Sequence, residues 1–97
     1  MRSAKEIEEK IKKIKSFLEN EYGVTQIGYF GSFATGNQRS DSDVDLIVSF
    51  NKRLGWQFFE LKDYLESIMG RRVDLVTKDS IRKQWKQEIL DQVKYVY

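Results

Sequence analysis

Along this chain the spacing of apolar residues switches between a helical period and a strand period, and glycine stands at most of the switches. Ala4 to Glu21 carries Ile7, Ile11, Ile14, Phe17 and Leu18, the stripe of an amphipathic helix. Lys and Glu fill its other positions as a solvated face, several spaced to pair along the helix. Gly23 ends that helix, and Thr25 to Phe30 reads as a strand. Gly31 and Ser32 follow at once, Ser32-Phe33-Ala34 opens a short helix, and Asn37 to Asp41 is a polar loop. Asp43 to Phe50 alternates and is rich in β-branched residues, so it reads as a second strand, with a turn at Asn51 to Gly55. Trp56 to Met69 is a second long helix with Phe58, Leu61, Leu65 and Ile68 on one face, closed by Gly70. Arg71 to Val76 reads as a third strand. Asp79 or Ser80 is then positioned to cap a last helix with the stripe Ile81, Trp85, Ile89 and Val93. The tail Lys94-Tyr95-Val96-Tyr97 either continues that helix or leaves it. Strands alternating with helices predict an α/β sandwich around a small sheet.

The 97 residues predict one domain, spanning 1–97, with a modest core and little chain for a separate substrate domain. Cysteine and histidine are both absent, which excludes disulfides, thiolate or imidazole zinc sites and every histidine-based triad. A general base must then be a carboxylate, lysine or tyrosine. A metal site must be built from oxygen, which favours magnesium or manganese. Seventeen basic against fifteen acidic residues leave a net charge of +2, too little to argue direct nucleic-acid binding. MRSAKEIEEKIKK lacks the apolar stretch of a signal peptide, and no run reaches the roughly eighteen apolar residues of a membrane span. A cytoplasmic protein without a membrane partner is the expectation. Helical spacing assigns most of Trp56, Phe58, Phe59 and Trp85 to the core. Phe58 and Phe59 cannot both face inward, so one of them is expected at an interface.

Three features fall on neighbouring strand ends. Gly31-Ser32 sits at a strand-to-helix turn, where glycine lets the backbone approach a ligand and amides at a helix start suit a phosphate. In Asp43-Val44-Asp45 both carboxylates point to one side of a strand while Val44 and Leu46 pack opposite. Two such charges repel by roughly 4 kcal/mol at about 4 Å and an effective dielectric near 20, so the pair invites a divalent cation. Asp74, between Val73 and Leu75, is unfavourable in an apolar strand without a partner. It can face Asp43 and Asp45 if the third strand neighbours the second.

Gly31-Ser32, ten residues, then Asp43-x-Asp45 resembles the signature of the polymerase-β-type nucleotidyltransferase superfamily. The string GSFATGNQRSDSDVDLIVSF resembles the minimal nucleotidyltransferases, the MNT proteins often paired with HEPN-domain toxins. RRVDLVTKDSIRKQWKQEILDQVKYVY resembles their usual ending, with Asp74 at the third carboxylate position. The resemblance implies the nucleotidyltransferase fold, a small mixed sheet of three to four strands flanked by helices. It implies that Gly31 and Ser32 hold the β/γ-phosphates of ATP and that Asp43 and Asp45 bind one or two magnesium ions. Asp74 would complete the second metal site or help deprotonate the attacking hydroxyl. Many relatives read GSFARG where this chain has Thr35, so a cation near the triphosphate is either missing or supplied by Arg39 in the following loop, the candidate nucleotide-binding cation.

The resemblance implies transfer of AMP from ATP to a hydroxyl of a protein, a tyrosine of a HEPN-type ribonuclease toxin, so that the chain acts as an antitoxin. A short chain agrees, because a macromolecular partner brings its own acceptor. The alternative is a non-catalytic antitoxin that neutralises its partner by binding; three converging carboxylates argue against it. A nucleotidyltransferase acting on a small antibiotic-like substrate ranks lower, since such enzymes usually carry an additional substrate-binding domain.

Overall fold

Ser3 caps the first helix by accepting the Glu6 N–H, and Gly23 closes it with its own N–H on the Glu19 carbonyl at 3.0 Å. The structure, a computed structural model, describes residues 3–97; the first two residues of the expected domain lie outside the described residues. In chain order the elements are α1 (Ala4–Tyr22), β1 (Val24–Phe30), α2 (Ser32–Thr35), β2 (Val44–Phe50), α3 (Gln57–Met69), β3 (Val73–Thr77), α4 (Lys83–Gln92) and β4 (Lys94–Tyr95). The strands form one mixed sheet in the order β3-β2-β1-β4. β1 is antiparallel to both β2 and β4, whereas β2 and β3 are parallel, joined by the crossover helix α3 as a parallel pair requires.

Period-two alternation turns Ile27, Tyr29, Val44, Leu46, Val48, Val73 and Leu75 to one face of the sheet. There they meet Ile7, Ile11 and Leu18 of α1 and Leu61, Leu65 and Met69 of α3, forming the core. Phe30, Asp45 and Asp74 lie at one register level on the opposite face. The end of α4 crosses that face at Gly28, where a Cβ would stand 2.9 Å from the Lys94 carbonyl and from the Val93 side chain.

The structure sharpens the sequence reading at the tail and departs from it elsewhere. The tail leaves α4, the second of its two readings, and does so as a strand: Lys94 and Tyr95 pair with β1, and the Val96 N–H binds the Ile27 carbonyl at 2.9 Å. The outer edge of β1 otherwise holds unpaired peptide groups, and burial of Val96 secures the added strand. Asp79 and Ser80 do not cap α4. They belong to a 3-10 turn, Lys78–Ser80, in which Ser80 Oγ accepts the Thr77 N–H at 3.0 Å, and α4 starts beyond it without a side-chain cap. Met69 rather than Ile68 is fully buried at the end of α3.

Most of the aromatics expected in the core stand outside it: Trp56 is 73% exposed, Phe59 67% and Trp85 52%. Leu61, Leu65 and Met69 fill the inward stripe of α3, and α4 buries no residue completely. Of the four, Phe58 alone is half-buried, edge-on to Phe50 with ring centroids 6.4 Å apart. Phe17 leaves the α1 stripe to pack on Tyr64 at 4.9 Å. Among the described residues no helix is long and apolar enough to cross a membrane.

Candidate active site

Because β1 runs against β2 and β3 runs with it, the end of β1 and the starts of β2 and β3 meet at one edge of the sheet. Phe30 pairs with Asp45, and Asp45 pairs with Asp74, so Gly31, Ser32, Asp43, Asp45 and Asp74 come together there. All five are residues that the sequence singles out.

Gly31 has φ 70° and ψ −146°, a conformation that residues with a Cβ avoid. A Cβ at this position would also fall on the Asp45 carboxylate, so the turn lies directly against that acid. The Gly31 carbonyl accepts the Ala34 and Thr35 N–H groups at 3.0 and 3.1 Å, winding Ser32–Thr35 into a single turn. Thr35 tightens that turn: its hydroxyl donates to the Gly31 carbonyl at 3.2 Å.

Asp45 is half-buried and its pKa is pushed up to about 6, first by desolvation, then by the charges of Asp74 and Asp43. Asp43 and Asp74 are exposed. Arg39 lies in the exposed loop between α2 and β2, where its N–H binds Ser42 Oγ at 2.7 Å; its side chain is exposed. Beside Asp43 opens a cleft of about 420 Å3, lined by Ser40, Asp41, Ser42, Asp43 and Gly70 together with Arg71 and Arg72. A smaller hollow of about 220 Å3 lies at the start of β1, at the opposite end of that strand from Gly31.

Two neighbours of the site were invisible to sequence reading. Arg71 Nη1 donates to the Ser42 carbonyl at 2.9 Å, immediately before Asp43. Gln92, at the end of α4, accepts the Gly31 N–H on Oε1 at 3.3 Å. Neither belongs to a spaced motif, and Gln92 is 61 residues from the glycine it binds. Only the chain's folding back brings them to this edge.

The arrangement suits a hard divalent cation. Its donors are all carboxylate oxygens, and the mutual repulsion felt by Asp45 is relieved by positive charge. Among the described residues the carboxylates do not already converge as a three-ligand metal group. Asp43 and Asp74 are exposed, so their side chains have room to turn toward an ion.

Residues 11–96 match the nucleotidyltransferase domain family. The protein adenylyltransferase MntA of Thermococcus cleftensis is 40% identical, over 99% of this chain and 98% of its own. A crystal structure of a toxin–antitoxin with AMP-PNP is similar at a TM-score of 0.75 and 31% identity, covering 93% of this chain and 72% of that one. A complex of a tri-AMPylated Shewanella oneidensis HEPN toxin with its MNT antitoxin is similar at a TM-score of 0.66 and 26% identity, over 95% and 71% of the two chains. Sequence over nearly the whole length and fold agree, and this chain belongs to the nucleotidyltransferase domain family.

Proposed function

We propose that residues 1–97 form one nucleotidyltransferase domain that transfers AMP from magnesium-ATP to a tyrosine hydroxyl of a HEPN-type toxin, and so acts as an antitoxin. The observation that carries this reading is the register. Asp45 and Asp74 stand level on adjacent strands, with Asp43 and the Cβ-free Gly31 turn at the same edge. The relatives supply the partner: one is a named protein adenylyltransferase, and another is an MNT antitoxin bound to an AMPylated toxin.

In this reading Gly31 and Ser32 receive the β/γ-phosphates through close backbone approach and the Ser32 hydroxyl, with Arg39 as an added cation. Asp43 and Asp45 hold the magnesium, joined by Asp74. When bound, magnesium offsets the triphosphate charge and stabilises charge developing at the reacting phosphoryl group. The acceptor oxygen attacks the α-phosphorus in line; the new P–O bond forms as the bond to pyrophosphate breaks. Asp74 either completes the metal site or takes the hydroxyl proton, its carboxylate being exposed at the same edge. Positioning supplies much of the rate, because both reactants are held in one geometry. A cytoplasmic location goes with this reading, since ATP and a ribonuclease toxin are found there.

The test is incubation with ATP, magnesium and the HEPN partner, followed by intact-mass analysis of the partner. The expected result is one or more added adenylyl groups on the toxin, lost with Asp43→Ala plus Asp45→Ala. A toxin that is neutralised with no mass added under any nucleoside triphosphate leaves the binding-only antitoxin instead.

A further inference from the structure

Of the three carboxylates, Asp43 is the one outside the strand register. β2 begins at Val44, so the parallel ladder fixes Asp45 and Asp74, while Asp43 ends the loop that precedes it. Arg71 braces that loop end. Its Nη1 donates to the Ser42 carbonyl at 2.9 Å, and its guanidinium lies over the Phe33 ring, 5.5 Å from the centroid. Phe33 is buried and follows Ser32 directly in the phosphate turn. On the adjoining residue, the Arg72 carbonyl accepts the Val44 N–H at 2.9 Å. Arg71 therefore ties the start of β3 to both halves of the site, the turn after Gly31 and the loop ahead of Asp43. A planar guanidinium can stack on a ring while donating from its edge, which a lysine ammonium cannot reproduce.

We propose that Arg71 is a positioning residue that clamps the Ser42 carbonyl against Phe33 and thereby holds the Asp43 carboxylate at the distance from Gly31-Ser32 that a magnesium-bound triphosphate requires. The proposal rests on the reading of this edge as a magnesium–nucleotide site. In this role Arg71 acts through Asp43 rather than on the nucleotide directly. Its loss weakens the hold on magnesium and leaves the phosphate turn able to bind once magnesium is saturating.

The experiment measures binding of a non-hydrolysable ATP analogue by calorimetry across a magnesium series, for the wild-type chain, Arg71→Met and Arg71→Lys. Thermal unfolding of each variant is recorded alongside. The half-saturating magnesium concentration is expected to rise about 10-fold or more in Arg71→Met, as for other groups that orient a metal ligand. Arg71→Lys keeps one donor and falls between the two. At saturating magnesium, nucleotide affinity returns to the wild-type value in both. An unchanged magnesium requirement overturns the proposal, and so does a loss of affinity that persists at saturating magnesium. Should Arg71→Met fail to fold, Arg71→Lys decides by the same two criteria. Absence of binding by the wild-type chain sinks the site reading itself, whereas wild-type binding with indifferent variants sinks only the role of Arg71.

Discussion

On β2, Val44, Leu46 and Val48 face α1 and α3 and are sealed from solvent, while Asp45 faces the other way, half-buried beside Phe30 and level with Asp74. Neighbouring residues of a single strand thus serve opposite ends. One face removes apolar surface from water and stabilises the chain. The other gathers like charges and partly buries one of them, which costs stability. The contrast teaches that this site is held against its own repulsion by the core behind it.

The sharpest way to break the comparison is to empty the charged face. Asp43→Ala with Asp45→Ala should abolish adenylyl transfer in the mass assay, yet leave the melting temperature no lower than that of the wild-type chain. A melting temperature that falls would mean the carboxylates support the fold. On the apolar face the expectation reverses. Leu65 is fully buried, and Leu65→Ala should cost about 2–5 kcal/mol in urea unfolding through lost burial and a residual cavity.

A subtler effect separates charge from shape at Asp45. Its folded pKa of about 6 lies above the ordinary 3.8, so the folded state holds the proton more tightly than the unfolded chain does. The metal-free protein should therefore lose stability as pH rises from about 4 to 6 and change little from this source above that. Asp45→Asn should gain about 1 kcal/mol at pH 7, the full shift being discounted for screening at a half-exposed group. That gain should vanish at about pH 3 and below, where both states are protonated. A gain independent of pH would assign the effect to packing. Smallest of all is Trp85→Ala: half of that side chain is in water, so unfolding free energy should move by no more than about 0.5 kcal/mol.

The long elements were legible because each carries a full stripe or a clear alternation. Gly23 and Gly70 stop α1 and α3 where the sequence predicts. The site was legible for a similar reason: Gly31-Ser32 and Asp43-x-Asp45 have fixed local spacing, and Asp74 betrays itself as a charge between apolar neighbours. The aromatics misled, since helical spacing says which residues share a face and not which face another element will cover. Trp85 continues the α4 stripe with Ile81 and Ile89, yet α4 has no layer packed over it that would bury them completely. The tail was ambiguous because two residues hold too little pattern to declare a strand; the unpaired edge of β1 decided it.

By itself, then, the sequence determined the order of helices and strands, the exclusion of thiol and imidazole chemistry, and the identity of the residues at the acidic edge. Each follows from local periodicity, composition or fixed spacing along the chain. The tertiary structure alone decided that Asp45 stands level with Asp74, that Arg71 reaches the Ser42 carbonyl, and that Gln92 meets Gly31. Those contacts join residues far apart in the chain, and their register is set by the pairing of strands and the packing of the core rather than by any neighbour in sequence.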